Sequence, residues 1–175
     1  MKKWLMILIL LLLIPLVHAT LSCTISNSTC TNTDIFHISN SSNAHAEQNN
    51  ESDYDFIVCC SETGGTTLNT TCGTSIINLS SSTNAHVEQS NETDYHFSVC
   101  ITPNTGTINC TYQTTNCSQA CLGTISTSIS GTYTNLHIAD CTTDPYATYI
   151  CCDYNAQPSA AGAATGATTI YGLVY

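Results

Sequence analysis

Apolar residues fall along this chain in short bursts, separated by runs of Ser, Thr and Asn. Ile35-Phe36-His37-Ile38 is one burst and Phe56-Ile57-Val58-Cys59-Cys60 another. No stretch keeps the 3.6-residue spacing of an amphipathic helix. The bursts are rich in Val, Ile, Thr and Tyr, side chains that suit a pleated, half-buried surface. The pattern predicts strands over 35–38, 43–48 and 54–60, then 75–79, 84–89 and 95–101, then 122–129, 133–138 and 148–152. Gly64-Gly65, Pro103-Asn104 and Asp144-Pro145 punctuate them. Many short strands at close spacing predict an all-β fold, a disulfide-stapled β-sandwich built from three repeated three-strand units. A β-trefoil is the alternative.

The units are visible as a repeat. Asn84-Ala85-His86-Val87-Glu88-Gln89 is followed by Asp94-Tyr95 and closed by Cys100. Asn43-Ala44-His45-Ala46-Glu47-Gln48, Asp53-Tyr54 and Cys59-Cys60 form an earlier copy. Asn135-Leu136-His137, Tyr146 and Cys151-Cys152 form a later, worn one. In each copy a cysteine stands fourteen positions after the histidine. One supersecondary unit used three times, over about 30–60, 72–101 and 121–152, accounts for this. The segment 102–119 between the second and third copies reads as an exposed, disulfide-closed loop.

The ends differ in kind. Lys2-Lys3, an apolar run to Leu16 and the small residues before Thr20 read as a Sec-type signal peptide over 1–19. The β-domain is expected over 20–157, a flexible Ala/Gly/Ser/Thr linker over 158–167 and a last strand over 168–175. In that strand Ile170, Tyr171, Leu173 and Val174 could complete a sheet edge, in this chain or in a neighbouring copy.

Charge narrows the function. The only Lys and Arg, two residues, lie in the signal segment, while all 12 Asp and Glu lie after it. The exported part therefore carries a formal charge of about −12 and no strong cation. Nucleic acid is excluded as a partner, because neutralising phosphates needs Lys or Arg. Docking on anionic lipid is excluded for the same reason, and no membrane attachment is expected once the signal is removed.

Twelve cysteines in an exported chain imply six disulfides. They would offset a core poor in Leu, Phe and Trp, each contributing about 2–4 kcal/mol. Repeat logic suggests Cys30–Cys59, Cys72–Cys100 and Cys121–Cys151, leaving Cys23–Cys60, Cys110–Cys117 and Cys141–Cys152. This is one of the many pairings twelve cysteines allow. Eight N-glycosylation sequons stand at Asn27, Asn40, Asn50, Asn69, Asn78, Asn91, Asn109 and Asn116.

Three kinds of chemistry compete at the repeated motif. His45, His86 and His137 are equivalent, and three imidazoles can hold Zn²⁺ or Cu²⁺ if the repeats close around a threefold axis. The competing expectation is that each His makes a structural hydrogen bond within its own repeat. Asn49, Glu51, Asp53 and Asp55, with Glu88, Glu92 and Asp94, offer hard oxygens for calcium, but their spacing is not that of an EF-hand. Tyr54, Tyr95 and Tyr146 recur once per repeat and could stack on sugars. Neither G-x-S-x-G nor H-E-x-x-H occurs, so no enzyme and no cofactor are expected.

At N-A-H-[AV]-E-Q, the Tyr and [VI]-C-C, over Cys30 to Cys152, the chain resembles the cysteine-rich repeats of secreted or surface proteins in ultra-small archaea and candidate-phylum bacteria. The third copy departs from that pattern by losing the E-Q pair and gaining Cys141. The resemblance implies location and architecture but no activity. The expectation is an extracellular or cell-surface structural or adhesive protein, such as a filament or coat subunit adding strand to strand. Its partners would be its own copies, other surface proteins or glycans. A lectin-like module and a metal-binding extracellular module are the alternatives.

Overall fold

The computed structural model describes residues 19–127, 132–143 and 146–157. Residues 1–18 of the expected signal peptide, the expected linker over 158–167 and the expected strand over 168–175 with Ile170, Tyr171, Leu173 and Val174 lie outside them.

Among the described residues the chain is all-β, with eleven strands and no helix. They are β1 (Leu21–Ser26), β2 (Thr33–Ile38), β3 (Ala46–Gln48), β4 (Phe56–Glu62), β5 (Leu68–Leu79), β6 (Val87–Gln89), β7 (Phe97–Pro103), β8 (Thr107–Gln113), β9 (Ala120–Ile125), β10 (Ile138–Ala139) and β11 (Thr148–Asn155). They form three antiparallel sheets, ordered β1-β4-β2-β3, β6-β5-β7 and β10-β9-β11-β8. The sheets bury one common core, to which Phe36, Val58, Ile77, Ile101, Leu122 and Ile150 contribute.

The bursts of apolar residues explain the local structure. Ile35 and Phe36 are consecutive and both buried, which a flat strand of period two forbids. The register between β2 and β4 shifts between Asp34 and Phe36, so a bulge turns both inward. Ile76 and Ile77 on β5 are buried the same way, beside a shift between Ser75 and Ile77.

Two expectations change here. The segment 102–119 is not an open loop: it contains β8, which pairs with β11 along the whole strand from Thr107↔Asn155 to Gln113↔Tyr149. Gly106, at φ 77°, makes the tight turn that sends β7 back as β8. The middle strand of each repeat is also shorter than expected. In 43–48 and 84–89 only the last three residues are strand. Asn43, Asn84 and Asn135 sit at φ 47°, 47° and 55°, left-handed values that Asn tolerates and a strand does not.

All twelve cysteines are paired. Cys23–Cys60, Cys30–Cys59 and Cys72–Cys100 form as repeat logic suggested. The other three are Cys110–Cys152, Cys117–Cys151 and Cys121–Cys141, in place of Cys110–Cys117, Cys141–Cys152 and Cys121–Cys151. The cause is β8. Its pairing sets Cys110 directly opposite Cys152, as β1 sets Cys23 opposite Cys60. Vicinal cysteines on a strand face opposite ways, so Cys151 takes Cys117 on the other face, as Cys59 takes Cys30.

Candidate metal centre

The three copies of the central motif close into a ring through their backbones. Ala46 and Ala85 exchange two N–H···O bonds of 2.9 Å, as do Val87 and Leu136. Ile138 and Ala44 complete the cycle at 2.8 and 3.0 Å. One step out the same rotation recurs: Gln48 donates to Ser82, Gln89 to Tyr133 and Asp140 to Ser41. Each repeat thus hands one bond to the next, and the third hands it back to the first.

The histidine of each copy is fixed by a serine. Ser39, Ser80 and Ser126 donate their N–H to the carbonyls of His45, His86 and His137. In return each serine Oγ accepts the histidine N–H, at 3.1, 3.1 and 3.0 Å. These clamps aim three half-buried imidazoles at one another. Their ring centroids lie 4.6, 5.0 and 5.0 Å apart. One nitrogen from each ring lies within 4.8 Å of the others. Among the described residues no carboxylate or thiolate joins this group.

Asparagines of neighbouring repeats orient the rings. His45 Nδ1 donates to Asn84 Oδ1, and His137 Nδ1 to Asn43 Oδ1, both at 2.6 Å. These bonds cross between repeats, contrary to the expectation of bonds within each one. An amide oxygen only accepts, so Nδ1 of both rings is the donor and carries a hydrogen. The same oxygens accept the phenol of Tyr54, on Asn84, and of Tyr146, on Asn43, each at 3.0 Å. In the third arm Tyr95 reaches the backbone of Asn135, and His86 Nδ1 is buried without a hydrogen-bond partner. Burial lowers the His86 pKa, and the neighbouring His45 and His137 lower it further, against the carbonyl of Leu136. His86 is therefore held toward the neutral, ligating form. The tyrosines are half-buried, and their phenols tie one repeat's turn to the next repeat's asparagine.

The acidic side chains behind the ring serve the fold. Glu47 and Glu88 are both 0% exposed. Their Oε1 atoms accept the backbone N–H of Tyr54 at 2.9 Å and of Tyr95 at 2.8 Å. The third copy has Ala139 at this register, opposite Thr124 on β9. There Thr124 Oγ1 accepts from Tyr146 N–H instead, at 2.9 Å, which is why the E-Q pair is dispensable. The calcium set does not assemble, since Glu88 faces the core and Asn49 donates to the carbonyl of Asp34.

Sequence reasoning missed one cluster. His37 is 6% exposed and lies between two carboxylates, with Nε2 2.8 Å from Asp34 and Nδ1 3.0 Å from Glu47. Burial works against its charge. The hydrogen bonds to Asp34 and Glu47 and their negative charges outweigh it and raise the pKa. With no Lys or Arg after Lys3, the chain thus builds this buried ion pair on a histidine. The alternation of Asp34, Phe36 and Ile38 with His37 was the available signal.

The remaining candidates divide by exposure. Asn27, Asn40, Asn50, Asn91, Asn109 and Asn116 are exposed and Asn69 half-buried. Asn78 is 6% exposed, and its amide donates to Glu88 Oε1 at 3.2 Å. Its amide is thus engaged inside the fold, unlike those of the exposed sequons.

Three converging imidazoles suit a borderline divalent ion and not calcium or magnesium. An ion with bonds of about 2.0–2.1 Å needs nitrogens about 3.3 Å apart in a tetrahedral site. Nitrogens now within 4.8 Å of one another would have to close to that spacing on loading. The asparagine and tyrosine partners are the outer shell that such ligands need to hold tautomer and orientation. No family model, curated protein or solved structure matches the chain.

Proposed function

We propose that this chain is an exported, disulfide-stapled module whose ring of repeats holds one divalent transition-metal ion through His45, His86 and His137. One observation carries the reading: three imidazoles from three repeats, separated by some forty to fifty residues each, converge within 4.8 Å of one another. A structural role for each histidine separately gives no reason for that convergence. The bonds from His45 to Asn84 and from His137 to Asn43 support it, because they engage Nδ1 and leave Nε2 of those two rings as the nitrogen that would ligate. A metal ion would then be the resident cofactor, where the sequence led to none. Six disulfides suit an oxidising, extracellular setting.

The test is metal uptake by the secreted protein. After exposure to Zn²⁺, Co²⁺, Ni²⁺ or Cu²⁺ and dialysis, elemental analysis should find about one ion per chain. His45→Ala, His86→Ala and His137→Ala should each abolish tight retention. Equal retention by the triple variant, or none by the wild type, overturns the reading.

A structural or adhesive surface role is compatible with this centre. It is supported by the acidic surface lacking Lys and Arg, which trypsin-like proteases cannot cut, and by the repetition. Its assembly strand lies outside the described residues. Deleting 168–175 and looking for loss of filaments by electron microscopy tests it.

A further inference from the structure

The geometry points to an open coordination position at this centre, one that binds a small anion such as a carboxylate or azide. This inference rests on the metal reading above. The donor set is the first reason. Among the described residues three imidazoles converge and no fourth ligating side chain joins them. A structural Zn²⁺ site is closed by four protein ligands, whereas three leave a position to water or to an incoming group.

Charge is the second reason. Imidazoles ligate as neutral groups, so the ion would keep its full double positive charge. Asn43, Asn84 and Asn135 around the ring are neutral and exposed, and Tyr54 and Tyr146 present phenols already bonded to those asparagines. Glu47 and Glu88, the nearest carboxylates along the chain, are turned into the core, where the backbone N–H groups of Tyr54 and Tyr95 occupy their Oε1 atoms. The rest of the exported chain has no Lys or Arg. The loaded centre would thus be a concentrated positive charge, unlike His37, which is buried between Asp34 and Glu47. An anion arriving there displaces the bound water, with no covalent or redox step.

Exposure is the third reason. All three imidazoles are half-buried rather than enclosed, so the approach to the ion is not sealed by the fold.

Cobalt reports the coordination directly. The full secreted chain is loaded with Co²⁺ and titrated with sodium azide, following the visible d–d bands. The expected result is a saturable shift in band position and intensity, which acetate reproduces more weakly and His86→Ala removes. Co²⁺ bands that form with the wild type but ignore both azide and acetate overturn the open position while leaving the metal site standing. Failure of Co²⁺ to bind at all overturns the metal site itself. Azide shifts that persist unchanged in His86→Ala place the ion elsewhere and overturn both.

Discussion

His45 Nδ1 donates to Asn84 Oδ1 at 2.6 Å across 39 residues of sequence, joining the ligand of one repeat to the turn of the next. Asn84 reaches that place because its own backbone is left-handed, at φ 47°. The residue thus does two things: its backbone makes the turn and its side chain sets a neighbour's tautomer. Glycine keeps the first and loses the second. Asn84→Gly and Asn43→Gly should therefore fold but weaken Zn²⁺ binding by about 10–100-fold, the usual loss when an outer-shell partner is removed. Asn135→Gly should have a smaller effect, because no side-chain bond ties Asn135 to His86. Competition with a chromophoric chelator at neutral pH measures all three. Equal losses in the three variants would contradict the asymmetry.

His37 gives the fold a pH dependence of definite sign. Its folded pKa lies above the ordinary value of 6.5 because Asp34 and Glu47 hold the charged form. Protonation therefore stabilises the fold. That contribution is complete below about 6.5 and is lost as pH rises through the higher folded value. Denaturant midpoints should fall as pH rises from about 6.5 into the mildly alkaline range. In the second repeat Asn78 stands in register opposite Glu88, as His37 stands opposite Glu47. An amide therefore fits this position, and His37→Asn should fold and show a flatter profile over the same range. A wild-type midpoint that rises across it would refute the assignment.

Much of this was legible in the chain. The strands follow from bursts of Ile, Val and Tyr, and the three histidines are equivalent by spacing alone. What spacing could not give was the hand-over between repeats, since a bond from His45 to Asn84 needs the ring to close. The third repeat was misread for a different reason. Cys110 and Cys117 stand seven apart, as Cys23 and Cys30 do, and both pairs precede a Cys-Cys doublet. That match marks β8 as the counterpart of β1, but the polar residues around it, Asn109, Thr111 and Gln113, look like a loop. β8 is an edge strand, and polar side chains are what an exposed edge carries.

The disulfides divide unevenly, and stability should follow. The first and third repeats each have two bridges of one pattern, and the third also has Cys121–Cys141. The second has Cys72–Cys100 alone, between β5 and β7. Replacing both of these by Ala should cost about 2–4 kcal/mol from the lost chain constraint. The loss should concentrate in one sheet. Hydrogen exchange should rise in β5, β6 and β7 more than in the doubly stapled sheets. Uniform protection across all three sheets would show that the single bridge is not what holds the second repeat.

Asn78 separates sequence motif from structure most sharply. Asn78-Leu79-Ser80 is a complete sequon. Yet the side chain is spent inside the protein: it donates to Glu88 Oε1 at 3.2 Å and to the Glu92 carbonyl at 3.3 Å, and accepts from Ser98 Oγ at 2.9 Å. A glycan on that nitrogen would replace an N–H that Glu88 uses and force sugar into a buried site. Leaving a buried carboxylate short of a donor costs about 1–3 kcal/mol or more. Asn50 and Asn91, by contrast, are exposed. Secreted from a glycosylating host and purified as a folded monomer, the protein should carry sugar at some exposed sites and none at Asn78. Enzymatic deglycosylation in heavy-oxygen water, followed by peptide mass spectrometry, marks every occupied asparagine. Substantial label at Asn78 in the folded fraction would mean that this side chain does not pack as described, and that the Glu88 support beneath Tyr95 is formed in another way.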